Sequence, residues 1–301
     1  MLRLPSFVSR LPAILLFVLA PPQDEYQDTR REFVERINAV RKTAGVTPLR
    51  LSAPLTAVAQ KRAGEISTGG DMPGAAARED ARRATEAGYE PRVVSEIAAR
   101  ADGDVASVVS AWRESEGAPA RDLIGADYRE IGVGVSLEGT PLYVVLFGLS
   151  WEDFFREKTA PFADLERMRR EMLARVNRER TSRGLAPLRR QPRLDDAAQA
   201  HARDMFVRRY YSHDTPEGKS AMDRIQAAGY RTRYAGENIA RGQYSVEEVM
   251  DGWMESKTHR DHLLSPVFDD VGFGLAFGKN PGGHEILWVQ NFGRPKGRER
   301  L

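Results

Sequence analysis

No cysteine occurs anywhere in the 301 residues. That absence excludes disulfides, thiolate nucleophiles, thiolate metal ligands and a lipidated cysteine together, so stability must come from packing. An excess of one charge is lacking as well: 45 basic and 43 acidic residues leave a formal net charge of +2. Such a balance offers no global field to nucleic acid or to an anionic membrane. Long apolar runs are scarce. Leu11–Ala20 falls short of the ~20 residues that span a bilayer, and no later stretch is as apolar. With Arg3 and Arg10 before it and Pro21-Pro22 after it, the run reads as the core of a signal peptide over residues 1–22. An uncleaved anchor is the alternative, and both imply a secreted or periplasmic protein with no transmembrane segment further on.

What is present is globular in composition, with 41% hydrophobic and 29% charged residues, and long enough for two domains. The two halves repeat one another. An offset of 139 carries Asn177 to Asn38, Arg180 to Arg41, Gly184 to Gly45, Leu188 to Leu49 and Gln199 to Gln60. An offset of 141 carries Tyr230 to Tyr89, Glu237 to Glu96 and Trp253 to Trp112, and 140 carries Val271-Gly-Phe-Gly to Ile131-Gly-Val-Gly. A near-constant offset over this length reads as a tandem duplication. The expected organisation is a first copy over 31–150, a connector over 151–164, a second copy over 165–294 and a basic tail over 295–301.

Each copy runs from helices into a closing hairpin. In the second, Met172 and Val176 sit at helical spacing and Gly184 marks the stop. Leu194, Ala197, Ala198, His201, Ala202 and Met205 line one face of a second helix, and Val246, Val249, Met250 and Trp253 one face of a third. Val271, Phe273, Leu275 and Phe277 then alternate as a strand, and 286–292 returns as its partner. The first copy ends alike, with Ile131, Val133, Val135 and Leu137 alternating before Leu142–Phe147. Helices packed on an antiparallel sheet follow, an α+β class.

All five histidines, at 201, 213, 259, 262 and 284, lie in the second copy. Since histidine is the usual acid–base group near neutrality and the commonest metal ligand, a site belongs there. The phrases AQAHA (198–202), YSHDTPEG (211–218), GENIA (236–240), WMESKTHR (253–260) and VGFG (271–274) occur in that order. Together they resemble the bacterial branch of the CAP superfamily, named for cysteine-rich secretory proteins, antigen 5 and plant pathogenesis-related proteins. The first copy resembles a degenerate version of the same SCP-like domain. The resemblance implies two tandem α-β-α sandwiches, an extracytoplasmic location, and a cleft of two His and two Glu.

By motif, His213 matches the first His, Glu237 one Glu and His259 the second His. The second Glu falls on Ser256, while the adjacent Glu255 points off the Trp253 face. The cleft set is therefore His213, Glu237, Asn238, Ser256 and His259, with Asn238 fixing the loop after Glu237. His213 and His259, with Glu237 beside them, are a candidate set for zinc carrying an open water position. The bland reading is a hydrogen-bonded His–Glu network. Ser212 and Ser256 stand in no GxSxG elbow, and Ser256 also suits a helix cap. His201 reads as a satisfied core histidine, His262 as a further ligand or an exposed residue, and His284 as solvent-facing. In the first copy Met72 and Ala118 replace the two His and Glu96 remains, so that copy reads as structural or protein-binding.

Two classes of function follow. One is a non-catalytic binding module for a protein, a cell-wall component or a small apolar ligand. The other is a metal-dependent, peptidase-like hydrolase with Glu237 and His259 as its catalytic pair. The missing second carboxylate favours binding, because hydrolysis requires both an acid and a base.

Overall fold

The computed structural model describes residues 26–73 and 77–297. The signal-peptide reading and the last four residues of the basic tail lie outside them. The chain divides into two compact units at 149/150.

The first unit runs α1 (Gln27–Thr43), β1 (Arg50–Leu51), α2 (Ala53–Ser67), α3 (Ala77–Glu86), β2 (Pro91–Arg100), α4 (Val105–Glu114), α5 (Ala118–Leu123), β3 (Glu130–Ser136) and β4 (Leu142–Ser150). The second runs α6 (Trp151–Thr159), a 3-10 turn (Ala160–Ala163), α7 (Leu165–Thr181), β5 (Arg189–Arg190), α8 (Pro192–Arg208), α9 (Ala221–Ala227), β6 (Thr232–Arg241), α10 (Val246–Glu255), α11 (Lys257–Leu263), β7 (Asp270–Asn280) and β8 (Gly283–Pro295). The sheets have matching orders, β1-β3-β4-β2 and β5-β7-β8-β6, with antiparallel hairpins at their centres. Both units are α-β-α sandwiches.

Period-two alternation decides which face of the sheet each residue serves. In the second unit Val271, Phe273, Leu275, Trp288 and Phe292 join Met172, Val176, Val249 and Trp253 in one core under α7 and α10. Leu287, Val289 and Ile239 join Ala198, Ala202 and Met205 in another under α8. Gly272 and Gly274 face α8, where a Cβ would lie 2.2 Å from Leu194 C and 2.3 Å from Ala198 C. The glycines of the VGFG phrase are thus what lets helix backbone rest on strand backbone.

Three expectations need correcting. The second unit starts at Ser150 and not at 165: the connector is helical over 151–163 and is part of that unit, its aromatics packed with Phe155 against Tyr244 and Phe277 and Phe162 against Trp288. The GENIA phrase is no loop but the middle of β6, the edge strand. The strand at 131 stops at Ser136, and Leu137 is left exposed beyond it. Strands β2 and β6 are hard to read from sequence because their outer halves are polar and carry no clean alternation. At the other end, Pro295 closes β8, and Lys296 of the tail donates its backbone N–H to Arg231 O at 3.1 Å.

Candidate functional site

Helix α8 ends at Arg209, a non-glycine residue in the left-handed region at φ 58°, and the chain turns into the 210–219 segment that carries His213. Helix α9 starts on a capping box in which Ser220 and Asp223 bond one another's ends. That box sets Arg224, whose Nη1 donates to His213 O (2.8 Å) and Lys219 O (2.9 Å) while Nη2 donates to Glu237 Oε2 (2.7 Å). One guanidinium therefore ties the His213 segment to β6.

The Glu237 side chain is buried and pairs with His213, Nδ1 to Oε1 at 2.9 Å. Since a carboxylate only accepts, His213 carries its proton on Nδ1 and is left with Nε2 outward. That bond, against an opposing effect of partial burial, raises the His213 pKa above the ordinary histidine value. Asn291, directly across from Glu237 in the β6–β8 ladder, donates to Oε2 (3.1 Å) and accepts from Ala198 N–H (3.1 Å), with its amide oriented to satisfy both groups. Behind them His201 is fully buried. It donates Nε2–H to Ser212 O at 3.0 Å, and burial lowers its pKa.

Asn238, the next residue, serves the opposite face of β6. It donates to His259 O (3.1 Å) and Gln290 Oε1 (3.2 Å) and accepts from His262 Nδ1 (2.9 Å). Its role is to pin α11 to the strand, and His262 is neither a free ligand nor a solvated residue but the other half of that pin. Ser256 occupies the N-cap position of α11, yet its hydroxyl bonds His259 Nδ1 at 2.8 Å rather than a helix amide. His259 is thereby also left with Nε2. Burial lowers its pKa first, and the nearby charges of His213 and His262 lower it further. Glu237 thus fixes His213 on one face of β6, and Asn238 ties α11 to the other.

Other candidates go elsewhere. His284 packs on Phe155 at 4.8 Å between centroids and is not solvent-facing. Ser212 Oγ accepts from Asp214 N–H in a turn. Trp253 and Trp288 are core, and Glu255 is exposed.

The sequence reading missed Arg224 and Asn291. Arg224 had a signal, since an offset of 141 carries it to Arg83. Asn291 had a contrast instead. Gly272 pairs with Asn291 in the second sheet and Gly132 with Leu146 in the first, so a carboxamide stands where the first unit has an aliphatic residue. Nor is Glu96 alone. Arg62, which replaces His201 at an offset of 139, reaches it at 3.1 Å. Where the second unit has the buried His201 beside Glu237, the first has a buried Arg62–Glu96 ion pair.

The profile of the cysteine-rich secretory protein (CAP) family matches residues 34–147 and 173–292. The chain belongs to this family. Both matched segments carry the CAP sandwich, so the family is present twice. Over 117 residues the chain is 36% identical to the uncharacterized protein YkwD of Bacillus subtilis (strain 168), covering 39% of this chain and 43% of YkwD. It is 30% identical over 106 residues to the uncharacterized membrane protein YlbC of the same organism, covering 35% and 31%. The alignments thus span less than half of each curated relative. Among solved structures it is similar to an extracellular SCP-domain protein from Bacillus anthracis str. Ames, at 24% identity and a TM-score of 0.41, covering 52% of this chain and 53% of that one.

Whether these CAP residues suit a metal ion depends on Glu237. Its oxygens are taken by His213, Arg224 and Asn291, which leaves two imidazole Nε2 atoms and no third protein ligand among the described residues. Among those residues no group of three or more His, Asp or Glu is arranged to hold a metal. A three-ligand zinc centre that includes Glu237 does not fit. No helix among the described residues is long and apolar enough to cross a membrane.

Proposed function

We propose that this chain is an extracytoplasmic binding protein whose second CAP unit presents the His213–Glu237–His259 cleft for recognition rather than for catalysis. The observation that carries the reading is the state of Glu237. A general base needs a lone pair facing solvent or substrate, and here a buried carboxylate is held on one oxygen by His213 and on the other by Arg224. Its work is to fix His213. With Glu237 so held and Ser256 in place of a second carboxylate, the hydrolase reading is left with His259 alone of its acid–base pair.

His213 and His259 each have Nδ1 engaged and Nε2 outward, the orientation in which a second group holds a ligating imidazole. They are the residues that would hold a divalent ion such as zinc, weakly, because two neutral ligands are few. Zinc there would supply Lewis acidity. The first unit, with Met72 and Ala118 in place of the two cleft imidazoles, serves as a structural or protein-binding unit, and the shared strand order supports a duplication as its origin.

The test uses the purified chain without residues 1–22. Calorimetry with zinc is expected to give one weak site, lost in His259→Ala, and peptidase and esterase substrates are expected to give no turnover with or without zinc. Hydrolysis abolished by both Glu237→Gln and His259→Ala would replace the binding reading with the enzymatic one.

A further inference from the structure

Beneath the 210–219 segment, between α8 and α9, lies a cavity of about 540 Å³. That is within the range of small-ligand sites and far too small for a folded partner. It is distinct from the outward Nε2 atoms of His213 and His259, although His201 and Arg224 belong to its wall. Its floor is Ala197 and Ala200 from α8 with Ala227 and Ala228 from the end of α9. These are small side chains that leave room and offer only methyl groups.

The walls are charged in both signs. Asp196, Asp204, Glu217 and Asp223 face Arg208, Lys219 and Arg224. Part of this charge is satisfied internally. Arg208 pairs with Asp204 (3.5 Å) and with Glu217, and Asp223 is consumed by the Ser220 capping box. Lys219 and Asp196 have no ion-pair partner among the described residues. Arg224 is the third cation of the wall. The arginine side chain is nine-tenths buried and both terminal nitrogens are engaged, yet its Nε–H is buried with no acceptor among the described residues. A buried donor of this kind costs about 1–3 kcal/mol until an acceptor reaches it.

We propose that this cavity binds a short zwitterionic peptide with small side chains. Its carboxylate pairs with Lys219, its ammonium pairs with Asp196, and its methyl groups lie on the alanine floor. A dianion such as phosphate is disfavoured, because four carboxylates outnumber three permanent cations around the site. A purely apolar ligand would leave Lys219 and Asp196 without an ion-pair partner. The proposal depends on neither a metal nor His259, so it stands or falls apart from the reading of the cleft.

The experiment is calorimetry and amide NMR of the full chain without residues 1–22, with trialanine as the probe. Trialanine is expected to bind saturably, and its C-terminal amide and the Lys219→Ala variant at least tenfold more weakly. Asp196→Asn should weaken trialanine but not its N-acetyl form. Ala200→Phe, at an exposed helix position, should remove binding with the circular dichroism unchanged, whereas His259→Ala should leave binding intact. Absence of saturable trialanine binding overturns the proposal. So does equal affinity for the amide, or a tighter complex with inorganic phosphate, or binding unaffected by both Ala200→Phe and Lys219→Ala.

Discussion

Arg41 and Arg180 are buried arginines that spend their guanidinium groups on backbone carbonyls. The acceptors are those of Thr47, Leu123 and Gly125 in one unit and of Ala186, Leu263 and Ser265 in the other. Asn38 and Asn177 likewise grip both backbone groups of Leu49 and Leu188. The polar identities that repeat along the chain are therefore pins that satisfy buried loop backbone, where an unpaired group is costly. Asp80 is a buried polar residue of the opposite kind. Burial, reinforced by the charge of Glu96, pushes its carboxyl up to about 6. A folded-state value raised above the unfolded one means the folded protein holds the proton more tightly. The stabilising contribution is complete below about pH 4, the ordinary aspartate value, and is lost as pH rises through about 6. Asp80→Asn is accordingly expected to raise the thermal midpoint at pH 7.5 and to change it little at pH 4. Thermal melts at the two pH values check this, and an equal difference at both would show that Asp80 does not titrate as stated.

At the scale of elements, helix α8 is the organising piece. It lies so close on β7 that Gly272 and Gly274 have no room for a side chain, and it delivers His201 beneath Glu237. Gly274→Ala would place a Cβ 2.3 Å from the Ala198 backbone, and neither backbone can yield without moving the layer. A loss of about 3 kcal/mol or more is expected, at the upper end for overpacking. Gly252 gives the contrast. It sits in α10 with nothing within 4 Å of a built Cβ, so Gly252→Ala should stabilise by up to ~1 kcal/mol through helix propensity. Urea titration of both variants decides, and a harmless Gly274→Ala would mean the helix and strand are free to separate.

At the scale of the molecule, the second unit begins at Ser150 rather than at Leu165. Phe155 and Phe162 are buried on its sheet and cover Trp288 and Phe277. A fragment 150–297 is expected to fold alone, because it owns a complete sandwich. A fragment 165–297 should lose about 3 kcal/mol or more, from two buried phenylalanines at ~1.5–3 kcal/mol each. Denaturation of the two fragments reads this directly. Equal stabilities would return 151–164 to the status of a linker.

The sequence by itself determined the two-copy organisation, the apolar faces of α7, α8 and α10 and the closing hairpins, and it singled out His213, Glu237 and His259 as candidates. These are legible because periodicity and repeated identities are local properties of the chain. It did not determine what Glu237 does. That depends on Arg224 and Asn291, 13 and 54 positions away, and on β6 being an edge strand. Only the folded sheet sets Asn291 across from Glu237, and only the start of α9 aims Arg224 at it. A carboxylate that reads as a base in the sequence becomes, once its neighbours arrive, a fixed acceptor that holds a histidine in place.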